Sequence, residues 1–547
     1  MTRSLPHFST TCPANGGVAP IIPPRRSNQR VRSCGLGALL LLAGLIWGGL
    51  GAFDSSSAFA QDVLSKRLDL LHQRYHDRHK TFQTAMEAVA QECERQSFFS
   101  DAERIRKRAA PAAAKNFDID QLPTALQPEI PLTLPVEERS WRIKLQKLER
   151  DYAIDLYRIG RDALRLGHPT LTYQIVREVA FFDPDNISAR TMLGFVQDKK
   201  EWTTPFKRRM ALRGWVDDPR FGWMDAKLVT RYQNGERQFN GQWMSAEKEA
   251  ALRSDFQNAW EIGTEHFVVR TNVGLEQGVE LSRRLEVFHK FFLREFAAFF
   301  NSRQQIEKLL DTTPRPTWDP AKRYQVSYYR TKAEFVAALK PRMPEIEKAN
   351  GLYLPRDRTA YFFETDETSD DPQERLETIY HEITHQILGE SRKEIVDAGE
   401  ISDFWIVEGF PCYLESYTET ENGPQMGDPR HIRMFWARHT IIDEDTYLPM
   451  RKFTSIGRAS FPLQAQAYNQ AAAMSHFFLN YEDGIYRDGF IHFLSQIYHP
   501  GNVRKPPLED ILGVPYETLD LQFLEYLKTF PADPPPRVKI IQESADK

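Results

Sequence analysis

Along most of the chain, apolar residues recur at spacings of three and four, and they alternate only in a few short stretches. Residues 61 to about 114 are rich in Lys, Arg, Glu and Gln with few breakers, and read as one or two amphipathic helices. His72, His76 and His79 fall here at helical spacing. They stand among Arg74, Arg78 and Lys80, whose charge opposes a cation, so they read as a solvated face. Residues 115–136 hold Pro123, Pro128, Pro131 and Pro135 without periodicity and read as a linker. Helical spacing returns over 137–200. Residues 201–260 are aromatic-rich, and Asn234-Gly235 and Asn240-Gly241 are turn signals, with a small hairpin over 238–243.

From residue 261 the period changes. Residues 265–271 and 323–329 read as strands, and 333–339 as a short helix. Residues 275–300 read as a long amphipathic helix with Leu281, Leu285, Phe288, Phe292 and Phe296 near one face. Residues 351–354 and 359–363 read as paired strands around Pro355-Arg356-Asp357, with 359–363 as the expected sheet edge. Leu376, Ile379, Ile383, Ile387 and Leu388 form a stripe that predicts a buried helix. Asp370, Asp371 and Pro372 are its start signals and Gly389 its stop. Helical spacing dominates from there to a closing helix over 515–530, and 531–547 is a proline-containing tail. The predicted class is α+β: a helical N-terminal part, then a domain over 261–530 with a small mixed sheet and a mainly helical C-terminal half.

Composition narrows this only modestly. The net charge is −4, and the five arginines and one aspartate of residues 1–60 leave the remainder at a formal −8. A mildly acidic body argues against nucleic acid as a partner. Arg25, Arg26, Arg30 and Arg32 precede an uncharged apolar run over 35–53, and Ser57-Ala58-Phe59-Ala60 offers a small-residue cleavage site. Residues 1–60 thus read as a signal peptide. A run of this length could also stay as an anchor, and the protein meets a membrane only in that case. Either way an exported body is expected. Of the four cysteines only Cys93 and Cys412 follow that segment; they could pair, though nothing requires it.

The chemistry centres on His381-Glu382-Ile383-Thr384-His385, an H-E-x-x-H string inside the predicted buried helix. Residues four apart lie on one helix face, so both imidazoles can point at one metal ion while Glu382 sits where a carboxylate can take a proton from water. Such a string also arises by chance, and a third ligand at a sensible distance separates the two cases. Glu408 is that candidate, in Phe404-Trp-Ile-Val-Glu-Gly-Phe-Pro-Cys-Tyr-Leu-Glu415. Two histidines and one glutamate leave a fourth position open, which is the catalytic arrangement for zinc.

Here the chain resembles the gluzincins, the zinc peptidase group that includes thermolysin and aminopeptidase N. Trp405, Glu408, Gly409, Tyr413 and Glu415 are similar to the W-x-x-E-G-x-x-x-Y-x-E setting in which those families present their third ligand. The resemblance implies Zn²⁺ held by His381, His385 and Glu408, Glu382 as general base, and a peptide or protein substrate. It also implies that Glu415 holds a histidine in the right tautomer. Tyr468, about sixty residues after Glu408, resembles in spacing the tyrosine that stabilises the oxyanion in aminopeptidase N relatives, and His476 is an alternative. Two departures stand out. His385 and Glu408 enclose 22 residues, more than is usual in the group, and the Gly-x-Met-x-Asn string of aminopeptidase N relatives is missing. The ensemble also resembles a family of exported bacterial proteins of unknown function that carry such a helix.

The helices over 137–200 carry Gly160 and Gly194, 34 residues apart, and an Asp183-Pro184-Asp185-Asn186 turn. These resemble tetratricopeptide repeats, whose concave face would take a protein partner; a plain helical hairpin fits equally. A chain beginning near Asp255 is expected to hold the metal without them. A non-catalytic binding protein with a structural remnant of the metal domain, and a hydrolase of non-peptide amides, remain compatible with the same residues.

Overall fold

The computed structural model describes residues 54–110, 122–313, 315–364, 372–392, 394, 396–420, 423–501 and 505–535. The apolar run over 35–53 and most of the 531–547 tail lie outside the described residues. Among the described residues, no helix is long and apolar enough to cross a membrane. The fold is mixed α+β, mainly helical with small sheets.

The first two helices, Asp54–Arg95 and Phe99–Ala109, pack on an antiparallel pair, Val136–Arg165 and Pro169–Phe182. Phe82, Met86, Ile105, Trp141, Leu156 and Phe182 fill the space between them. Gly160 lies where the pair crosses, with room for only a slight side chain, since a Cβ there would sit 3.2 Å from Ile175 Cγ2. Gly194 instead follows the short helix Ile187–Met192 at φ +90°. The two glycines therefore occupy unlike positions, and their 34-residue spacing does not mark a repeat. His79 corrects a second expectation. It is 8% exposed rather than solvated, because it shares the face of Leu71, Phe82 and Met86. Its Nδ1 lies 2.9 Å from the Tyr152 hydroxyl, and Tyr152 and Tyr75 both donate to the Glu178 carboxylate.

A repeat of a different kind follows. Three antiparallel hairpins each lead into a short helix. Val196–Asp198 and Glu201–Thr203 precede Pro205–Leu212; Trp215–Asp218 and Gly222–Asp225 precede Val229–Gln233; Glu236–Phe239 and Gln242–Ser245 precede Ala246–Arg253. Each hairpin is entered through a glycine at positive φ, Gly194, Gly214 or Gly235, and carries a tryptophan on its second strand, Trp202, Trp223 or Trp243. The period is about twenty residues. The third hairpin turns at Asn240-Gly241, both at positive φ, as a two-residue turn between twisted strands requires.

The second core is built on a five-stranded sheet. From one edge to the other run Trp260–Gly263, Phe267–Thr271, Tyr324–Tyr329, Thr359–Phe363 and Leu352–Leu354. The middle three are parallel and each outer strand is antiparallel to its neighbour. The edge expected at residues 359–363 is therefore internal. Four of the five residues of Thr359–Phe363 are buried, which suits a central strand, and the edge falls to Leu352–Leu354. One sheet face meets the helix Lys332–Leu339 through Tyr329, Phe335, Tyr361 and Phe363. Val326, Tyr328, Ala360 and Phe362 join the opposite core, with the helices Leu275–Glu295, Pro372–Glu390 and Phe404–Leu414. Phe288 stacks on Tyr380 with ring centroids 4.8 Å apart.

The two cores are tied together. Ala297 and, on the helix Arg303–Thr312, Ile306 and Leu310 belong to the N-terminal core. The Tyr157 hydroxyl donates to the Leu310 carbonyl at 2.6 Å, Arg161 pairs with Asp311, and Thr170 donates to Asp488. A chain beginning near Asp255 would leave these partners uncovered.

Candidate metal centre

The helix Pro372–Glu390 starts on a proline, whose missing N–H is no loss in a first turn. Ile379, Ile383 and Ile387 anchor its buried stripe. His381 and His385 lie on the neighbouring face, one turn apart, with ring centroids 4.9 Å apart. The helix Phe404–Leu414 brings Glu408 to the same point. His381 Nε2 and His385 Nε2 are 3.1 Å apart, and Glu408 Oε2 lies 3.7 and 3.6 Å from them. A point in the plane of these three atoms and equidistant from them lies about 2.0 Å from each, the length of a zinc–nitrogen or zinc–carboxylate bond.

The donor set fits a cation in a second way. The Glu415 carboxylate, at the C-terminus of the Phe404–Leu414 helix, accepts from His381 Nδ1 at 2.8 Å. The proton on Nδ1 turns the lone pair of Nε2 toward His385 and Glu408. Arg433, from the helix Ile432–Arg438, grips Glu415 with two donors at 2.6 and 2.8 Å, and also reaches Asn469. Burial alone would raise both carboxyls. Arg433 and His381 hold Glu415 well below the usual carboxylate range, and His385 and His381 do the same for Glu408. Both are therefore anionic ligands or supports at any pH near neutrality. Cys412 Sγ lies 3.9 Å from His381 Nδ1, on the side already given to Glu415, and burial pushes its thiol up. It is a neutral neighbour rather than a fourth ligand. Cys93 and Cys412 are both free and buried.

Gly409 explains how Glu408 reaches the two histidines. A Cβ at this position would lie 2.4 Å from the Ala471 carbonyl oxygen, so the helices Phe404–Leu414 and Ala465–Asn480 meet backbone to backbone. The second of these helices carries Tyr468. The phenol is pushed up by burial and then by the Glu408 charge, with His381 acting the other way, so it senses the His381–His385–Glu408 cluster. His476, the alternative to Tyr468, is placed elsewhere. Its Nε2 lies 2.9 Å from the Gly427 carbonyl and its Nδ1 2.8 Å from the Tyr526 hydroxyl, so both nitrogens are occupied. Glu382 reaches the sheet-edge strand, where its Oε2 accepts the Tyr353 backbone N–H at 2.7 Å.

Sequence reasoning missed three residues. Arg433 lies outside any motif, and only the fold brings it to Glu415. Tyr498 is buried and senses the Glu408 charge, which after burial pushes its phenol up. His431 brings its Nε2 to 3.7 Å from Glu377, which precedes His381 by one helical turn. His431 and Glu377 line a cleft of about 600 Å³ with Ser416, Met426, Asp428 and Ile432. No protein-family model matches the chain, and no curated protein matches it in sequence.

Proposed function

We propose that the protein is an exported zinc-dependent hydrolase of peptide bonds, of gluzincin type. The observation that carries this reading is the convergence of His381 Nε2, His385 Nε2 and Glu408 Oε2 on one point. Zinc held by these three residues would acidify water and polarise a scissile carbonyl. Glu382 is the proton carrier. Tyr353 N–H fixes one carboxylate oxygen, and the other remains to take a proton from water and return it to the leaving amine. Tyr468 supplies an O–H to the developing oxyanion from the facing helix. Glu415, held by Arg433, keeps His381 in its ligating tautomer.

The substrate class follows from the surroundings. An extended peptide can lie along the sheet-edge strand Leu352–Leu354, whose Tyr353 N–H is already given to Glu382, and the cleft beside Glu377 and His431 gives one side chain a mixed polar and apolar place. The N-terminal arginines, apolar run and small-residue site support export.

The test uses metal content and a mixed peptide library. The purified chain is expected to hold zinc and to cleave peptides. Glu382→Gln is expected to keep zinc and fold while cleavage falls at least about a hundredfold. Loss of zinc in Glu382→Gln would make the residue structural, and unchanged cleavage would move the chemistry away from this helix.

A further inference from the structure

We propose that His266, Glu286 and His289 form a second metal site, for a divalent transition-metal ion of the zinc class. It shares no ligand with His381, His385 and Glu408, and does not depend on the hydrolase reading. Glu286 and His289 are three apart on the helix Leu275–Glu295, a Glu-x-x-His spacing that puts both side chains on one face. His266 immediately precedes the strand Phe267–Thr271. One nitrogen of each histidine and one Glu286 oxygen lie within 4.8 Å of one another.

The arrangement is more specific than a buried ion pair. Glu286 Oε1 accepts the His266 backbone N–H at 2.6 Å, which clamps the carboxylate and leaves Oε2 facing His266 Nδ1 at 2.8 Å. The His266 and His289 rings lie 4.1 Å apart, centroid to centroid, at a tilt of 32°. Two imidazoles this close cannot both be protonated at low cost, whereas both can ligate one cation. His289 is 3% exposed, and its Nδ1 is buried with no hydrogen-bond partner among the described residues. A ligand would satisfy that atom. Phe267 and Tyr324 wall the other side, at 5.8 and 5.5 Å from the His289 ring. The His266 side chain is 31% exposed and gives an ion a path from solvent.

Two further charges face the cluster. Glu265, whose carboxylate accepts the Thr204 hydroxyl at 3.1 Å, favours a cation, and Lys290 opposes one. Metal would take the place of the proton shared by His266 and Glu286, with water completing the shell. Its role is to pin the first parallel strand to the long helix.

Elemental analysis and Zn²⁺ and Co²⁺ titration of the full chain test this. The wild-type chain is expected to bind about two zinc ions, and His385→Ala, Glu286→Gln and His289→Leu about one each. The double variant His385→Ala/Glu286→Gln should bind none. Glu286→Gln keeps the side-chain shape, so it guards against a fold lost in His289→Leu. In the His385→Ala background, zinc should raise the melting temperature, and adding Glu286→Gln should abolish that rise. A wild-type count of one that falls to none in folded His385→Ala would overturn the proposal. So would a Glu286→Gln chain that keeps the wild-type count. If instead His385→Ala keeps the wild-type count, the first centre fails and the second is judged by Glu286→Gln alone.

Discussion

Replacing Gly409 by alanine adds one methyl group where two helices nearly touch. The new Cβ would lie 2.4 Å from the Ala471 carbonyl oxygen, 2.6 Å from its carbon and 2.8 Å from its Cβ. Close carbon–oxygen contacts settle at about 3.3–3.6 Å, so Phe404–Leu414 and Ala465–Asn480 must part by about 1 Å. No side chain can swing aside instead, because the nearest two colliding atoms are backbone. Overpacking of this kind costs about 1–3 kcal/mol, and the upper end applies because Trp405, Phe410, Ala471, Ala472 and Phe478 are all fully buried around the contact. Glu408 is the preceding residue. Moving its helix by about 1 Å spoils the common bond length that its Oε2 shares with the two imidazoles, by far more than the scatter of real zinc–oxygen bonds. The variant is therefore expected to melt roughly 5 °C or more below the parent. Its zinc affinity should fall at least about tenfold, read by competition with a chromophoric chelator. An alanine variant that melts with the parent and holds zinc as tightly would refute the assignment of Glu408 through this helix contact.

Glu415→Gln leaves the Arg433 guanidinium buried without its carboxylate and loosens the tautomer of His381. Zinc affinity should fall about 10–100-fold by chelator competition, with a stability loss of about 3–5 kcal/mol in denaturant titrations. Pairing the change with Arg433→Met should restore stability and not affinity. His476, held neutral by burial with its pKa pushed down to about 4, sets an acid limit. Between pH 6.5 and 4 the unfolded chain takes up a proton that the folded one refuses. Stability therefore rises with pH across that window, by about 3 kcal/mol for this group, and its share is complete above it. His476→Gln should flatten that part of a stability–pH curve, and an unchanged slope would show that the imidazole is not the group concerned. A chain beginning near Asp255 exposes Ala297, Ile306 and Leu310 and is expected to aggregate or melt early in light-scattering and thermal scans. A monomeric, stable, zinc-holding fragment would show instead that the second core stands alone.

Legibility followed local period. The long helices could be read because their stripes repeat over many turns, and the strand pair 352–354 and 359–363 because its turn residues lie between two apolar runs. Strand order was out of reach. Whether Thr359–Phe363 ends the sheet depends on which strand its second edge finds, and Tyr324–Tyr329 is thirty residues earlier in the chain. The hairpin repeat was missed for a different reason. Its signals are one glycine and one tryptophan in about twenty residues, and only the third unit adds an Asn-Gly turn that stands out alone. Gly194 invited a comparison with Gly160, when its counterparts are Gly214 and Gly235, each at positive φ before a hairpin.

The candidate metal site divides in the same way. His381 and His385 are joined by one helical turn and come forward by spacing, and Glu408 comes forward through the resemblance of its W-x-x-E-G setting to that of the gluzincins. Arg433 and the Tyr353 N–H have no such link. Arg433 reaches Glu415 only because the helix Ile432–Arg438 packs on Ala465–Asn480, and Glu382 meets Tyr353 only because the short strand takes the sheet edge. His266 falls between these cases. Its partners form a readable Glu-x-x-His pair, yet the pair is silent until the residue just before the strand Phe267–Thr271, twenty positions upstream of Glu286, delivers a third ligand. Ligands on one helix can be read from spacing, while the residues that orient them come from other elements and require the packed structure. Each orienting contact is therefore an independent test of the fold: Glu415→Gln probes the docking of Ile432–Arg438, and Glu286→Gln probes the docking of the long helix on the sheet.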